Sequence, residues 1–281
     1  MMHAPSVFSL QRTVTPAEAA TLCDYLAHLS GLSKSRIKDA LNKGAVWLAR
    51  PGGARRRVRR ASAMLRPGDR VEFHYDPALL SREAPPSRCL ADHRRYSAWY
   101  KPAGVMAQGN DFGDHCALLR QAELHFRVQR QAFLVHRLDR EAAGLMLIAH
   151  DREAAARLSA LFREQRIRKR YRVRVRGSPS VDEGEIALPL EGKPALTRYR
   201  VAERDGAADA ATLMVEIATG RLHQIRRHLA LIGHPVLGDP RYGHANGDPA
   251  GLQLAAVGLE FRCPFEGVMR SYAAEEAPRD K

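Results

Sequence analysis

The stretch His136-Arg137-Leu138-Asp139-Arg140-Glu141-Ala142-Ala143-Gly144-Leu145 sets one carboxylate between two arginines and leads through a glycine into an apolar run that ends at Ala149. A short apolar run bounded in this way reads as a buried strand. Asp139 then falls in the loop that feeds the strand, at the edge of a sheet. Flanking cations favour the ionised form of a carboxylate, and a held, ionised carboxylate suits a nucleophile or a base. An isolated R-x-D-R is more often a surface ion pair than an active site. What argues for chemistry is the rest of the chain.

The sequence has 281 residues, with Lys+Arg 45 against Asp+Glu 31 and a formal net charge of +14. The length fits one large domain, or one medium and one small. The charge points to a polyanionic partner, nucleic acid before an anionic membrane surface. No run of about 18 apolar residues reads as a membrane span. Met1 to Leu10 lacks the charged start and apolar stretch of a secretory signal. Cys23, Cys89, Cys116 and Cys263 are scattered without C-x-x-C spacing and read as reduced thiols. A cytoplasmic protein with a nucleic-acid partner is the expectation.

Residues 1–14 read as an N-terminal extension and 15–78 as a small α/β unit. Leu22, Tyr25, Leu26 and Leu29 recur at helical spacing, and Gly31 is placed to end that helix. A second helix opens at Ser33-Lys34-Ser35-Arg36 and stops at Gly44. Short strands follow at Val46-Trp47-Leu48 and, after the turn Pro67-Gly68-Asp69, at Val71 to Tyr75. Between them stand Arg55, Arg56, Arg57, Arg59 and Arg60, which repel one another unless an anion is near. Residues 79–93, with Pro85-Pro86 and little periodicity, read as a linker.

Residues 94–281 read as one α+β domain. Strands are expected at Tyr96–Tyr100, Gly144–Ala149, Tyr171–Val175, Thr212–Ala218 and Leu252–Phe261. Asp151 caps a helix whose Ala154, Leu158, Leu161 and Phe162 share a face, and which is expected to end in Arg166, Arg168, Lys169 and Arg170. Along Tyr171 to Arg176, apolar residues alternate with arginines, giving a strand with one cationic face. Thr219-Gly220 turns the chain into a helix from about Leu222 to Ile232, with Leu222, Ile225 and Leu229 inward. Its cationic first turn suits phosphate or a carboxylate. His223 and His228 stand at i and i+5 and do not share a face as a zinc-binding pair would, so no metal is expected.

Four segments occur together: Lys101-Pro102-x-Gly104; Arg137-Leu138-Asp139 with Gly144-Leu145; Lys169-Arg170-Tyr171; and Thr219-Gly220-Arg221-x-His223-Gln224-Ile225-Arg226 with His234-Pro235-x-x-Gly238-Asp239. In order and spacing they resemble the RluA-type pseudouridine synthases, over roughly Trp99 to Pro264. Leu32-Ser33-Lys34-Ser35-Arg36, Gly44-Ala45-Val46 and Leu65 to Val71 loosely resemble the S-four-type RNA-binding domain that many members of this family carry. The resemblance implies a catalytic domain with a central mixed or antiparallel sheet flanked by helices, behind a small RNA-capturing α/β domain. It implies isomerisation of uridine in ribosomal or transfer RNA, with Asp139 catalytic, Tyr171 packed on the flipped uracil and Arg226 paired with the carboxylate. Arg137 corresponds to the arginine that fills the space the base has left. Arg140, Lys101, Arg221, His223 and Gln224 are assigned to the substrate, and Lys34, Arg36 and the arginines 55–57, 59 and 60 to RNA.

Those roles make physical sense. The target base must leave its stack, at a cost of a few kcal/mol. Cleaving a glycosidic bond develops positive charge on the sugar, which a carboxylate stabilises or traps. Attack on the sugar, attack on the base and removal of a ribose proton all remain open for Asp139. The chemistry requires no metal or organic cofactor. No obligate protein partner is implied, and a monomer is expected. The chain departs from the family pattern where Ala142 and Ala143 replace hydroxyl residues expected to brace the catalytic loop. Leu254-Ala255-Ala256 and Cys263-Pro264 likewise stand where histidine-containing segments are usual. A non-catalytic RNA-binding or ribosome-assembly factor is therefore the alternative reading.

Overall fold

The computed structural model describes residues 6–18, 20–243, 246 and 248–274. They form two compact units. One holds the described residues up to Ala84 together with Gln108–Gln121; the other holds Pro85–Ala107 and the described residues from Ala122 onward.

The small unit comprises β1 (Phe8–Thr13), α1 (Leu22–Ser30), α2 (Lys34–Asn42), β2 (Val46–Ala49), β3 (Arg56–Arg57), β4 (Arg70–Tyr75) and α3 (Pro77–Leu80). Thr21 and Ser33 cap the two long helices by accepting backbone N–H groups, and Gly31 closes α1 with φ 69°. Leu22, Leu26, Ile37, Leu41 and Phe73 form the centre of its core. The sheet order is β1-β4-β2-β3, antiparallel throughout. Two expected boundaries change. Residues 8–13 are an edge strand of this sheet rather than an extension, because their backbone pairs with β4 from Phe8 opposite Tyr75 to Thr13 opposite Arg70. The segment 79–93 is not an irregular linker: it takes in the end of α3 and a strand of the larger unit.

The arginine cluster is neutralised from within this unit. Arg55 bridges Glu72 (2.7 Å) and Asp111 (2.9 Å). Arg57 and Arg59 share Asp114, at 3.3 and 2.5 Å. Trp47 lies under the guanidiniums of both Arg55 and Arg57, 4.5 and 4.2 Å from its ring centre. Arg57 also donates to the carbonyls of Gly44 and Asn110. For three of the five arginines the anion is thus supplied by Glu72, Asp111 and Asp114. Arg57 and Arg59 are partly buried in these pairs, while Arg55 stays exposed beside its two acids. Lys34 is paired with Asp24 at 2.6 Å, with both side chains exposed; Arg36, Arg56 and Arg60 are exposed.

The larger unit contains β5 (Arg88–Asp92), β6 (Tyr96–Lys101), β7 (Phe133–Leu134), β8 (Ala143–Ala149), α5 (Arg152–Arg163), β9 (Ile167–Arg176), β10 (Glu183–Ile186), β11 (Thr197–Asp205), β12 (Ala210–Ile217), α6 (Gln224–Leu231), β13 (Leu254–Arg262) and β14 (Met269–Ala273), with α4 (Leu118–His125) running in from the other unit. Its sheet runs β10-β11-β12-β9-β13-β8-β6-β5, with β14 on β13 and β7 on β8. The β13–β8 pairing is parallel and the remaining pairings are antiparallel, so the class is α+β with a mixed sheet. Arg166, Arg168, Lys169 and Arg170 do not end α5. The helix stops at Arg163, Gln165 takes a positive φ of 58°, and the chain enters β9 at Ile167. Within β9 every second residue, from Ile167 through Tyr171 to Val175, is buried, as a strand with one covered face requires.

The close approach of β8 to β13 positions the loop before β8. Gly144 lies opposite Ala256 with φ 123°, and a β-carbon there would meet the Ala256 carbonyl oxygen at 2.3 Å and its nitrogen at 2.4 Å. Only glycine satisfies both the backbone angle and the space. Gly144→Ala is expected to lower the unfolding free energy by about 3 kcal/mol, read from the urea midpoint, while Gly192→Ala, in an open turn, should cost less.

Candidate active site

Asp139 lies at the floor of a cleft of about 640 Å³ whose walls include Arg137, Tyr171, Arg221, His223 and Arg226, a size suited to a small organic group. Its loop is held from three directions. The ring of His136 stacks on Phe162 of α5 at 4.1 Å and 21°, and His136 Nε2 accepts the N–H of Leu147 at 2.9 Å. Burial pushes the His136 pKa down to about 3, so this imidazole is neutral. Gly104 N–H donates to the Arg140 carbonyl at 2.7 Å.

The third hold is Lys101, at the end of β6. Its ammonium is fully buried and donates to the carbonyls of Ala142 (2.6 Å), Val105 (2.8 Å) and Pro102 (3.1 Å), with Arg140 at 3.4 Å. It therefore ties the 102–105 turn to the loop that carries Asp139 and is not part of the cleft lining, which corrects its expected role. The bracing that Ala142 and Ala143 cannot supply comes from a cation on a neighbouring strand.

From the other side, α6 brings Arg226, 1% exposed. Its Nε and Nη2 bind the two oxygens of Asp239 at 2.7 and 2.8 Å, and its Nη1 binds Asp139 Oδ2 at 2.9 Å. The bidentate pair fixes the plane of the guanidinium and leaves one N–H aimed at the cleft. Asp239 also accepts N–H groups from Arg241 and Tyr242. Burial opposes its charge, yet Arg226 and these N–H groups hold it below the usual carboxylate range. Burial likewise works against the charge on Arg226, and its two carboxylates outweigh that, raising its pKa. Asp239 belonged to a segment visible in the sequence, but its role appears only once Arg226 is seen between two acids.

The other expected residues divide. Burial, reinforced by the charge of Asp139, raises the Tyr171 pKa, so its phenol is neutral. Arg137 and Arg221 line the cleft and are exposed. Arg140 is outside its lining and pairs with Glu141 at 3.1 Å. Gln224 borders the cleft, but its side chain is spent on the fold. Its oxygen accepts from Thr219 Oγ1 and the Arg221 N–H, and its amide donates to Leu196 O and Thr197 Oγ1. Its assignment to substrate is corrected on that ground. Leu222 is 53% exposed rather than inward, because α6 begins two residues later than the periodicity implied. The three histidines go separate ways: His228 is bound to Thr197 and Leu188, His234 to Arg176, and His223 faces Asp139.

Comparison with known proteins agrees with this geometry. Residues 95–231 match the family model described as RNA pseudouridylate synthase. An uncharacterized RNA pseudouridine synthase of Aquifex aeolicus is 34% identical over 277 residues, covering 87% of this chain and 86% of that protein. The dual-specificity RNA pseudouridine synthase RluA of Escherichia coli is 36% identical over 160 residues, covering 50% of this chain and 70% of its own. Among solved structures, human RNA Pseudouridylate Synthase Domain Containing 1 aligns with a TM-score of 0.57 at 24% identity over 68% of this chain and 83% of that one, a likeness of fold. The chain belongs to the RluA-type RNA pseudouridine synthases, isomerases that convert uridine in RNA to pseudouridine.

Lys101 generates a pH prediction. Burial lowers its pKa to about 8 against the small opposing pull of Asp139 and Glu141. As pH rises through 8 the folded protein loses a proton that the unfolded chain keeps until about 10.4. That group's contribution to folding stability therefore rises over this window. The neutral amine has one N–H fewer for the loop carbonyls, so the rate with bound RNA should fall through pH 8 while the melting temperature does not. Lys101→Met should start slower and lack that limb in single-turnover pH profiles.

Proposed function

We propose that Asp139 is the catalytic carboxylate of uridine isomerisation. In this reading Arg226 orients it, Tyr171 packs on the extruded uracil, and Arg137 enters the space the nucleotide leaves. The observation that carries the reading is the buried bridge Asp139–Arg226–Asp239 opening onto a cleft walled by Tyr171. Breaking the ribose–nitrogen bond leaves positive charge on the sugar, and a carboxylate anchored by one oxygen is positioned to meet it. A binder without catalysis has no need of two carboxylates and a guanidinium buried at the floor of its cleft, since such a cluster costs several kcal/mol in desolvation. RNA from which this gene's product has been absent, labelled with tritium at carbon 5 of uridine, provides the test. The wild type should release tritium and Asp139→Asn should release none; release by the variant would overturn the assignment.

We further propose that the small unit is an S-four-type module capturing ribosomal or transfer RNA, and that the protein acts as a cytoplasmic monomer. The support is the exposed Arg36, Arg56 and Arg60 beside a net charge of +14. Phosphate contacts release counterions, so affinity should fall steeply with salt. Arg56→Ala and Arg60→Ala should each flatten the slope of log affinity against log salt by about 0.7. Arg57→Ala, at a residue tied to Asp114, Gly44 and Asn110, should leave the slope unchanged and lower the melting temperature instead. Filter binding at graded salt distinguishes these outcomes.

A further inference from the structure

Converting uridine to pseudouridine breaks the bond from nitrogen 1 to the sugar and forms one from carbon 5 to the same sugar carbon. Carbon 5 then carries a proton it must lose, and nitrogen 1 carries an electron pair that must take one. The group handling this proton has to stand beside the carboxylate that serves the sugar carbon. We propose that His223 is that group: its Nε2 removes the proton from carbon 5 of the rearranged base and returns it to nitrogen 1. This inference rests on Asp139 being the catalytic carboxylate.

The geometry supports the assignment. His223 Nε2 lies 3.7 Å from Asp139 Oδ2, too far for a hydrogen bond and close enough for a reacting atom to be shared. Nδ1 lies 3.1 Å from Tyr242 Oη; with Nδ1–H donating to that oxygen, Nε2 presents its lone pair to the cleft. Tyr242 is held in turn, its ring edge-on to the imidazole and beneath the Arg226 guanidinium at 5.3 Å. The residue is fixed in the left-handed region, φ 50° and ψ 32°, at the start of α6. Histidine enters that region more readily than most residues, and here it sets the direction in which the imidazole leaves the backbone. The other candidates around the cleft are spent or unsuited. His136 Nε2 is occupied by the Leu147 N–H, Lys169 and the arginines are cations, and Tyr171 holds its proton tightly in its buried setting. Burial holds His223 below its usual range, against the pull of Asp139, which keeps it a neutral acceptor.

In the proposed step the C5–H bond breaks, its electron pair restores the C5–C6 double bond, the C6–N1 π pair shifts onto nitrogen 1, and the proton moves to Nε2. The imidazolium stands beside the Asp139 carboxylate, free again once carbon 5 is joined to the sugar, and then protonates nitrogen 1. One proton has moved between two atoms of the same base, with no other reactant consumed.

The test compares RNA carrying hydrogen or deuterium at carbon 5 under single-turnover conditions. His223→Asn is the first variant, since asparagine accepts a positive φ; His223→Gly, with imidazole added, is the second. Loss of a proton-handling group slows its step by about 10²-fold. The proposal expects that slowing in both variants, a deuterium effect larger than that of the wild type, and recovery of the glycine variant by imidazole. Slowing with no increase in the deuterium effect would assign His223 a structural role, and unchanged rates would remove it from the reaction; either overturns the proposal. Asp139→Asn, run alongside, keeps the two readings apart: turnover by that variant defeats the carboxylate assignment, whereas an inactive Asp139→Asn with a normal His223→Asn defeats only the histidine.

Discussion

A single guanidinium buried between two carboxylates holds this active site together. Arg226 cannot sit at the base of α6 without compensation, because a charge removed from water costs several kcal/mol. Asp239 supplies it through the two nitrogens of one edge of the arginine and fixes the plane of the group. An N–H on Nη1 points at Asp139. The carboxylate is thus oriented by a residue that is itself oriented, so the precision of the floor of the cleft derives from Asp239, which is wholly buried and faces no substrate.

The same logic governs the loop that carries Asp139. Ala142 and Ala143 stand where bracing hydroxyls are expected, and the loop is held by backbone and by neighbours. Lys101 gathers carbonyls from the loop and from the 102–105 turn, Gly104 donates to Arg140, and His136 is clamped between Phe162 and the backbone of β8. These contacts use groups from β6, β8 and α5, and β8 is set by its parallel seam with β13, where only a glycine fits at 144. The position of the Asp139 loop is therefore a consequence of the sheet, and a departure in its own sequence leaves that position supported.

Charge in the small unit follows a different rule. Its arginines are dense along the sequence, but Glu72, Asp111 and Asp114 neutralise three of them, and Trp47 packs against two. Net charge states how strongly the whole chain is drawn to a polyanion. Which side chains face solvent to meet one depends on which have found partners within the fold.

The sequence by itself determined the class of fold and the family, and it singled out Asp139, Tyr171, Arg137 and Arg226, which the fold brings to one cleft. These signals are local: an apolar run after a glycine, alternation along β9, and motifs whose order survives in one dimension. It could not show that Lys101 and Gln224 spend their side chains on the backbone, that Asp239 anchors Arg226, or that Asp111 and Asp114 quench the arginine cluster. It placed the start of α6 early and extended α5 into β9, because a helical period and an alternating one overlap over a few residues and only backbone pairing separates them. Hydrogen bonds and ion pairs between residues tens of positions apart depend on distance in space, and that distance exists only once the sheet has formed.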